Sequence, residues 1–151
     1  MPQFARPDAD TYNGDGWTED DDNTVDMFLE VDEVTANDAD FVRSAVTPTT
    51  DAVVFSLTNV TDPALSTGHT LRARNSADPA SQETIDFVFQ LRQTYVSEAS
   101  QGTLINTAGT WQRLGVTSTT WTTTSYTLTG AEADAITDYT ALFIRITANK
   151  V

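Results

Sequence analysis

The chain has 151 residues, no cysteine and a formal net charge of −14, from 22 acidic and 8 basic residues. Its length predicts one domain with a hydrophobic core of its own. The lack of cysteine excludes disulfides, thiolate metal sites and a cysteine nucleophile. The negative charge argues against nucleic acids and anionic membranes as partners.

The charge is concentrated towards the N-terminus. Residues 1–40 hold 13 acids and one base, a net charge of −12, whereas residues 41–151 hold 9 acids and 7 bases, a net charge of −2. Asp outnumbers Glu 16 to 6, and Lys150 is the single lysine. Two interpretations stay open. Either the protein works in concentrated salt, which screens self-repulsion, or the acidic region is a local device for a cation or a basic partner.

The first predicted element is an extended acidic arm or long loop over residues 1–24, which have too few apolar side chains for a core strand. Trp17 would pin this arm to the remaining domain, residues 25–151. The sequence shows no signal-peptide pattern and no membrane span, since its longest apolar runs have four residues.

Within the arm, residues 8–19 resemble a cation loop. Asp8, Asp10, Asn13 and Asp15 alternate oxygen donors with glycine turns, and Glu19 falls at the twelfth position from Asp8. The pattern is not an EF-hand, because Tyr12 and Asn13 occupy the fifth and sixth positions. Calcium or magnesium binding and a solvated acidic turn are therefore both open, and the sequence identifies no other cofactor.

The rest of the chain is predicted to form short strands separated by turns. Apolar and polar residues alternate over 25–32, 53–58, 85–92 and 142–147, and shorter candidate strands lie at 40–46, 69–75, 103–107, 111–115 and 122–129. Breaks fall at Pro48, at residues 61–63, at residues 76–80 and at three glycines. A short helix is predicted within 131–139, before the last strand. We therefore expect an all-β fold, an antiparallel β-sandwich of about eight strands with jelly-roll-like topology.

Threonine supports this assignment, because it is β-branched and suits a half-exposed pleated surface. The chain has 27 threonines, and 8 of the 13 residues from Thr117 to Thr129 are Thr. This run predicts a strand with a hydrated face and an exposed edge for a partner strand.

The sequence offers no catalytic set. His69 is the single histidine, so a metal site with several histidines is excluded and only His69 could serve a Ser-His-Asp triad. We expect His69 to form a hydrogen bond with a neighbouring residue instead. Arg72 and Arg74 share one face of a predicted strand and are expected to pair with carboxylates such as Asp86. We predict that the protein is not an enzyme and name no catalytic residue.

Four aromatic residues could form a sugar-stacking platform on one face of the sandwich: Trp111, Trp121, Tyr126 and Tyr95. They could equally be core or interface anchors. A carbohydrate-binding module that recognises a host glycan is therefore the alternative function.

Several segments together resemble a small β-sandwich virion protein of tailed phages and related tailed viruses. The matching segments are residues 6–10, 16–18, 28–33, 38–42, 69–74, 132–139 and 142–146. The resemblance covers most of the chain, and its motifs mark structure rather than chemistry. It implies a capsid decoration, turret or tail component. The Asp excess with near absence of Lys resembles that of a virus of a haloarchaeon, with a marine phage as the next option.

We therefore expect a non-enzymatic virion structural protein on the head surface, in preference to the tail. It would assemble with itself, with a trimer favoured, and bind a basic or edge-exposing surface of a capsid or tail protein through residues 1–24.

Overall fold

The computed structural model describes residues 3–14, 16–77 and 83–151 and shows a mostly β protein. All strand pairs among these residues are antiparallel, which confirms the prediction of a mostly β, antiparallel structure. The strands are β1 (Pro7–Asn13), β2 (Thr18–Glu19), β3 (Val42–Arg43), β4 (Thr49–Leu57), β5 (Thr70–Asn75), β6 (Ile85–Gln93), β7 (Thr103–Leu104), β8 (Gln112–Val116), β9 (Thr122–Thr127) and β10 (Leu142–Lys150). A 3₁₀ helix spans Met27–Glu30 and helix α1 spans Gly130–Asp134.

Six strands form the main sheet. Its order is β1-β4-β10-β6, and both β7 and β8 pair with β6. The three strands with the clearest alternation lie side by side, so Ile144 of β10 is in register with Phe55 of β4 and Leu91 of β6. Because side chains alternate across a strand, these residues define one continuous apolar face, hereafter the inner face.

Two hydrophobic clusters lie at opposite ends of the inner face. One contains Leu91 and Leu142 of the sheet together with residues that follow β9 and α1. The other contains Val53 and Phe55 with Trp17 and Met27 from the N-terminal quarter. A two-stranded ribbon of β5 and β9 adds Leu71 and Tyr126 to the first cluster. The ribbon therefore lies over the inner face.

Helix α1 confirms the prediction of a short helix before the last strand. Its N-cap Thr129 accepts a hydrogen bond from the backbone N–H of Glu132 through its side chain. The Glu132 carboxylate in turn accepts a hydrogen bond from the backbone N–H of Thr129. This reciprocal capping box satisfies two backbone donors at the helix start.

The extended arm predicted over residues 1–24 is not confirmed. Residues 7–13 form β1, which pairs with β4 from Pro7 opposite Leu57 to Asn13 opposite Val53. Trp17 is 3% exposed within a core cluster, so the predicted pinning residue is a core residue. An edge strand gains backbone hydrogen bonds on one side without needing apolar side chains, which is why composition misjudged this segment.

The strand predicted over residues 25–32 is wrong. The segment contains the 3₁₀ helix, which buries Met27 completely while Val25 and Leu29 are more than half exposed. Met27, Phe28 and Val31 pack against the core cluster instead. This spacing of three to four residues is helical, and it coexists in the sequence with the alternation that we interpreted as a strand.

Two sequence features lie outside the described residues: Asp15 of the acidic loop, and most of the break predicted at residues 76–80. In the described part of the chain, no helix is long and apolar enough to cross a bilayer.

Candidate functional site

A cleft of about 1020 Å³ lies over the inner face of the main sheet. Its floor contains Leu57, Phe87, Ile144 and Ile146. Ile144 and Ile146 belong to β10, which has a strand on each side, yet both remain partly exposed. The described residues thus leave the middle of an apolar sheet face incompletely covered, and we call this space the central cleft.

One side of the central cleft is the edge of β5. Every residue from Thr67 to Ser76 lines the cleft, both those facing the sheet and those facing away from it. An unbroken lining of this kind indicates that the backbone edge, rather than one row of side chains, borders the space. Among the described strands, β5 pairs with β9 and with no other.

The hydrogen-bond register shows which backbone groups of β5 face the cleft. Leu128 N donates to His69 O at 2.9 Å, so this pair is of the hydrogen-bonded kind. In an antiparallel ladder, pairs that exchange hydrogen bonds alternate with pairs that do not. Thr70, Arg72 and Arg74 belong to pairs without hydrogen bonds, so their N–H and C=O groups point away from β9. This edge has the donors and acceptors that another strand needs.

Aromatic side chains form part of the wall. The rings of Phe41 and Trp121 lie 5.7 Å apart, and both residues line the cleft. Trp111 is 3% exposed, packs 5.0 Å from Phe89 and donates its Nε1 hydrogen to Thr124 O. Trp111 therefore joins β8 to the ribbon and presents little surface of its own.

Three buried polar atoms of cleft-lining residues have no hydrogen-bond partner among the described residues. They are Trp17 Nε1, Glu33 Oε1 and His69 Nδ1. Buried polar groups are nearly always satisfied in folded proteins, and leaving one unpaired costs about 1–3 kcal/mol. Atoms of this kind beside an apolar cleft indicate a site whose polar partners come from a bound molecule or from water.

One part of the mouth is acidic. Burial raises the pKa of Glu30, and the charges of Asp20 and Asp40 raise it further. Burial likewise raises the pKa of Glu33, with Asp40 again adding to the effect. Among the described residues, no ion pair joins Glu30, Glu33 or Asp40 to a cation. This part of the mouth would therefore favour a positive group.

His69 lies at the other end of the cleft. Its Nε2 is 2.8 Å from the hydroxyl of Tyr139, which confirms the predicted hydrogen bond to a neighbour. Burial raises the pKa of Tyr139, and the charge of Asp62 adds to this. The tyrosine therefore stays protonated near neutral pH and holds the imidazole ring at the cleft wall.

Arg74 pairs with a different carboxylate from the one expected. Its guanidinium contacts Asp38 at 2.5 and 2.6 Å, whereas Asp86 accepts a hydrogen bond from Gly115 N. The bidentate contact lowers the pKa of Asp38, mainly through the hydrogen bond from Arg74. The pair ties the 31–41 segment to β5 across the mouth, and the prediction that Asp86 pairs here is wrong.

The four aromatic residues considered for sugar stacking do not share an exposed surface. Trp111 is buried, and Tyr126 donates its hydroxyl to Glu132 at 2.8 and 2.9 Å. Tyr95 is 5% exposed and packs against Phe143, whose position in β10 faces away from the cleft. Trp121 lines the cleft beside Phe41. This arrangement uses the aromatics as packing anchors.

Two acidic residues of the expected cation loop, Asp8 and Asp10, have structural partners. Asp8 accepts a hydrogen bond from Ser56 Oγ, and the Asp10 carboxylate accepts from Met27 N at 2.9 Å and Phe28 N at 2.8 Å. The two residues lie in β1 rather than in a loop. Among the described residues, no group of three or more acidic or histidine side chains is placed to hold a metal ion.

The opposite face of the sheet carries a polar cluster that the sequence analysis missed. Arg145 contacts Glu98 at 2.6 and 2.9 Å, and Tyr95 donates its hydroxyl to the same carboxylate. Hydrogen bonding from Arg145 lowers the pKa of Glu98, and burial raises that of Tyr95. The signal was present as Arg145 at an outward position of a predicted strand, but its partner Glu98 lies in a connecting loop.

The comparisons with known proteins give no neighbour for this chain. No protein-family model matches it, no curated protein matches it, and no solved structure matches it.

Proposed function

We propose that the protein is a non-enzymatic structural subunit of a tailed-virus particle. In this proposal it is a capsid decoration or turret component on the head surface, which assembles into a trimer and binds a capsid or tail protein. The observation that carries the proposal is two strand edges that no described strand covers, in addition to the edge of β5 that borders the central cleft. The resemblance of several segments to virion proteins of this kind supports it.

The first edge belongs to β9. The register that directs alternate groups of β5 into the cleft also directs the backbone of Thr123, Ser125 and Thr127 away from the ribbon. All three residues are exposed, and β9 pairs with β5 alone among the described strands. Free edges of this kind pair with other chains unless they are blocked, and the Thr-rich run was predicted to supply such an edge.

The second edge belongs to β1, the outermost strand beside β4 in the main sheet. It carries two of the acidic residues of the N-terminal quarter, Asp8 and Asp10. A subunit with one polar edge and one acidic edge suits two kinds of contact, one between copies and one with a basic partner.

The finer description of the fold belongs to this proposal. We infer a β-sandwich with jelly-roll-like topology, in which the ribbon is part of a second layer over the inner face. The packing of Leu71 and Tyr126 onto the first core cluster supports this layering. A sandwich of this type leaves strand edges at its sides, where neighbouring subunits of a shell meet.

Edge-mediated assembly is tested by Ser125→Pro, with Ser125→Ala as the matched control. Proline removes an N–H that points away from the ribbon, and so blocks an added strand without removing a bond between β5 and β9. Sedimentation analysis should show a closed oligomer for the wild type and for Ser125→Ala, and monomers for Ser125→Pro at similar thermal stability. Monomeric wild-type protein at every concentration and salt level would reject self-assembly.

The virion assignment has its own test. Purified tailed particles from a host that carries the gene should contain the protein at a fixed ratio to the major capsid protein by mass spectrometry. Cryo-electron microscopy should place it on the head as a symmetric cluster. Its absence from such particles would refute the assignment whatever its oligomeric state.

A further inference from the structure

We propose that the central cleft binds an extended segment of a partner protein, which adds as a strand to the free edge of β5 and places a lysine or arginine beside Glu30, Glu33 and Asp40. The inference deepens the proposed function, because it names the chemistry of the partner that such a subunit would bind.

The main-chain edge argues for a peptide rather than another apolar ligand. The lining is continuous from Thr67 to Ser76, and the outward N–H and C=O groups of Thr70, Arg72 and Arg74 repeat at every second residue. Strand addition uses such a row for affinity and uses alternate side-chain pockets for specificity. β5 has six residues, so the added strand would span roughly 20 Å.

The apolar floor of the cleft determines which side chains the bound segment would carry. A strand laid beside β5 turns every second side chain towards the main sheet. There Leu57, Phe87, Ile144 and Ile146 form an apolar floor that is partly exposed. Apolar residues at alternate positions of the segment would cover this floor and bring the two separate core clusters into contact through it.

The carboxylates at the mouth of the cleft determine the charge that the bound segment would carry. The carboxylates of Glu30, Glu33 and Asp40 form no ion pair among the described residues. Arg6 donates its Nε hydrogen to the backbone carbonyl of Glu33 rather than to its carboxylate, and Glu33 Oε1 is buried without a hydrogen bond. Trp17 Nε1 is a buried donor without a hydrogen-bond partner among the described residues. A second copy of this chain is the poorer occupant, because each copy carries a net charge of −14, with 22 acidic residues against 8 basic ones.

The experiment measures binding of fluorescein-labelled peptides of about twelve residues by anisotropy in about 2 M KCl. The peptides alternate valine and threonine and carry one lysine near either end or in the middle; a matched set has glutamate in place of lysine. We expect saturable binding of at least one lysine peptide, about fivefold or more tighter than its glutamate counterpart, since a partly buried pair resists screening.

Two variants test the location. Ala73 alternates with the exposed Arg72 and Arg74, so its side chain faces the main sheet, and Ala73→Trp should fill the cleft and abolish binding. Arg72→Pro removes an outward N–H and should weaken binding by about fivefold or more, whereas Arg72→Ala keeps that N–H and should stay within about twofold. Ala108→Trp, at an exposed position outside the cleft lining, is the control for the added indole.

The outcomes separate this inference from the proposed function. Failure of every peptide to bind the wild type would overturn the inference, as would equal binding by Ala73→Trp. Binding to lysine and glutamate peptides alike would overturn the charge assignment. Self-association through β9 is measured separately with Ser125→Pro, so an oligomer that binds no peptide refutes the cleft proposal and leaves the structural role standing.

Discussion

Glu132 shows how one residue connects three elements. Its carboxylate accepts hydrogen bonds from Thr107 N at 2.6 Å, from Tyr126 Oη, and from the backbone and hydroxyl of Thr129. Burial by itself would raise its pKa, but these hydrogen bonds to the ionised form outweigh burial and lower the pKa to about 2. The ionised carboxylate therefore holds α1, β9 and the loop after β7 together.

We predict that Glu132→Gln destabilises the protein by roughly 2 kcal/mol and lowers Tm by about 4–8 °C at neutral pH. The amide keeps one acceptor oxygen and turns an N–H₂ group towards the donors. Differential scanning calorimetry measures the loss, and Asp134→Asn, on the exposed side of the same helix, should change Tm little.

The pH dependence of this effect follows from the direction of the shift. The folded pKa lies below the ordinary value of 4.5, so the carboxylate stabilises the fold fully above that value and loses its contribution as the pH falls towards about 2. The gap in Tm between wild type and Glu132→Gln should narrow over this window. A gap that stays constant down to the lower end would contradict the assigned role.

The sequence predicts part of this residue-scale arrangement. Thr129 and Glu132 have the three-residue spacing of a capping box. The bonds from Thr107 and Tyr126 are not predictable in this way, because they depend on a loop and a strand that pack against α1 only in the folded chain.

At the scale of elements, Asp10 explains why residues 27–30 become a 3₁₀ helix. Each carboxylate oxygen accepts one of two successive backbone N–H groups, those of Met27 and Phe28. Asp26, which precedes the helix, has a φ of 63° and makes no side-chain cap. The capping group is thus supplied from β1, which joins the edge strand to the helix.

We predict that Asp10→Ala destabilises the protein by about 1–2 kcal/mol, because two backbone donors at a helix start lose their acceptor. Urea unfolding measures the change. Asp20→Ala removes the same charge from an exposed turn and is the control; equal effects of the two substitutions would show that charge rather than capping matters at Asp10.

The central strands and the 3₁₀ helix together show what the pattern of apolar residues can predict. Alternation identified the central strands β4, β6 and β10, because each needs one apolar face over its full length. It failed at residues 25–32, since Met27 and Val31 satisfy a helical spacing as well as a strand spacing. The deciding contact comes from Asp10, 17 residues earlier, where no local pattern reaches.

At the scale of the whole molecule, the central cleft could not have been predicted. The alternation in β10 shows that Ile144 and Ile146 share an apolar face, but not which segment covers them. That depends on β5 pairing with β9 across about fifty residues of chain, so that the edge of β5 rather than a further strand borders the floor. The aromatic residues were visible in the sequence, yet their burial around this space was not.

The distribution of charge, in contrast, can be counted from the sequence, and the structure shows which of the charges come close together. The described acids of residues 1–40 do not project on a free arm, because β1 pairs with β4 and Trp17 is buried in a core cluster. Glu30 and Glu33 consequently lie near Asp20, Asp32 and Asp40, and these neighbours raise their pKa values beyond the effect of burial. Folding therefore brings like charges together.

We predict that the protein is stabilised strongly by salt, with Tm rising steeply from low salt to several molar KCl. The Debye length falls from about 10 Å at 0.1 M to about 3 Å at 1 M, so repulsion among these carboxylates is screened while the buried core is unaffected. A double variant, Asp20→Asn with Asp40→Asn, should raise Tm at low salt and lose this advantage in molar KCl. Asp62→Asn with Asp134→Asn removes the same charge elsewhere on the surface and should give the smaller gain. A Tm that stays flat across the salt range would remove the halophilic interpretation and leave the acidic quarter as a local device for a basic partner.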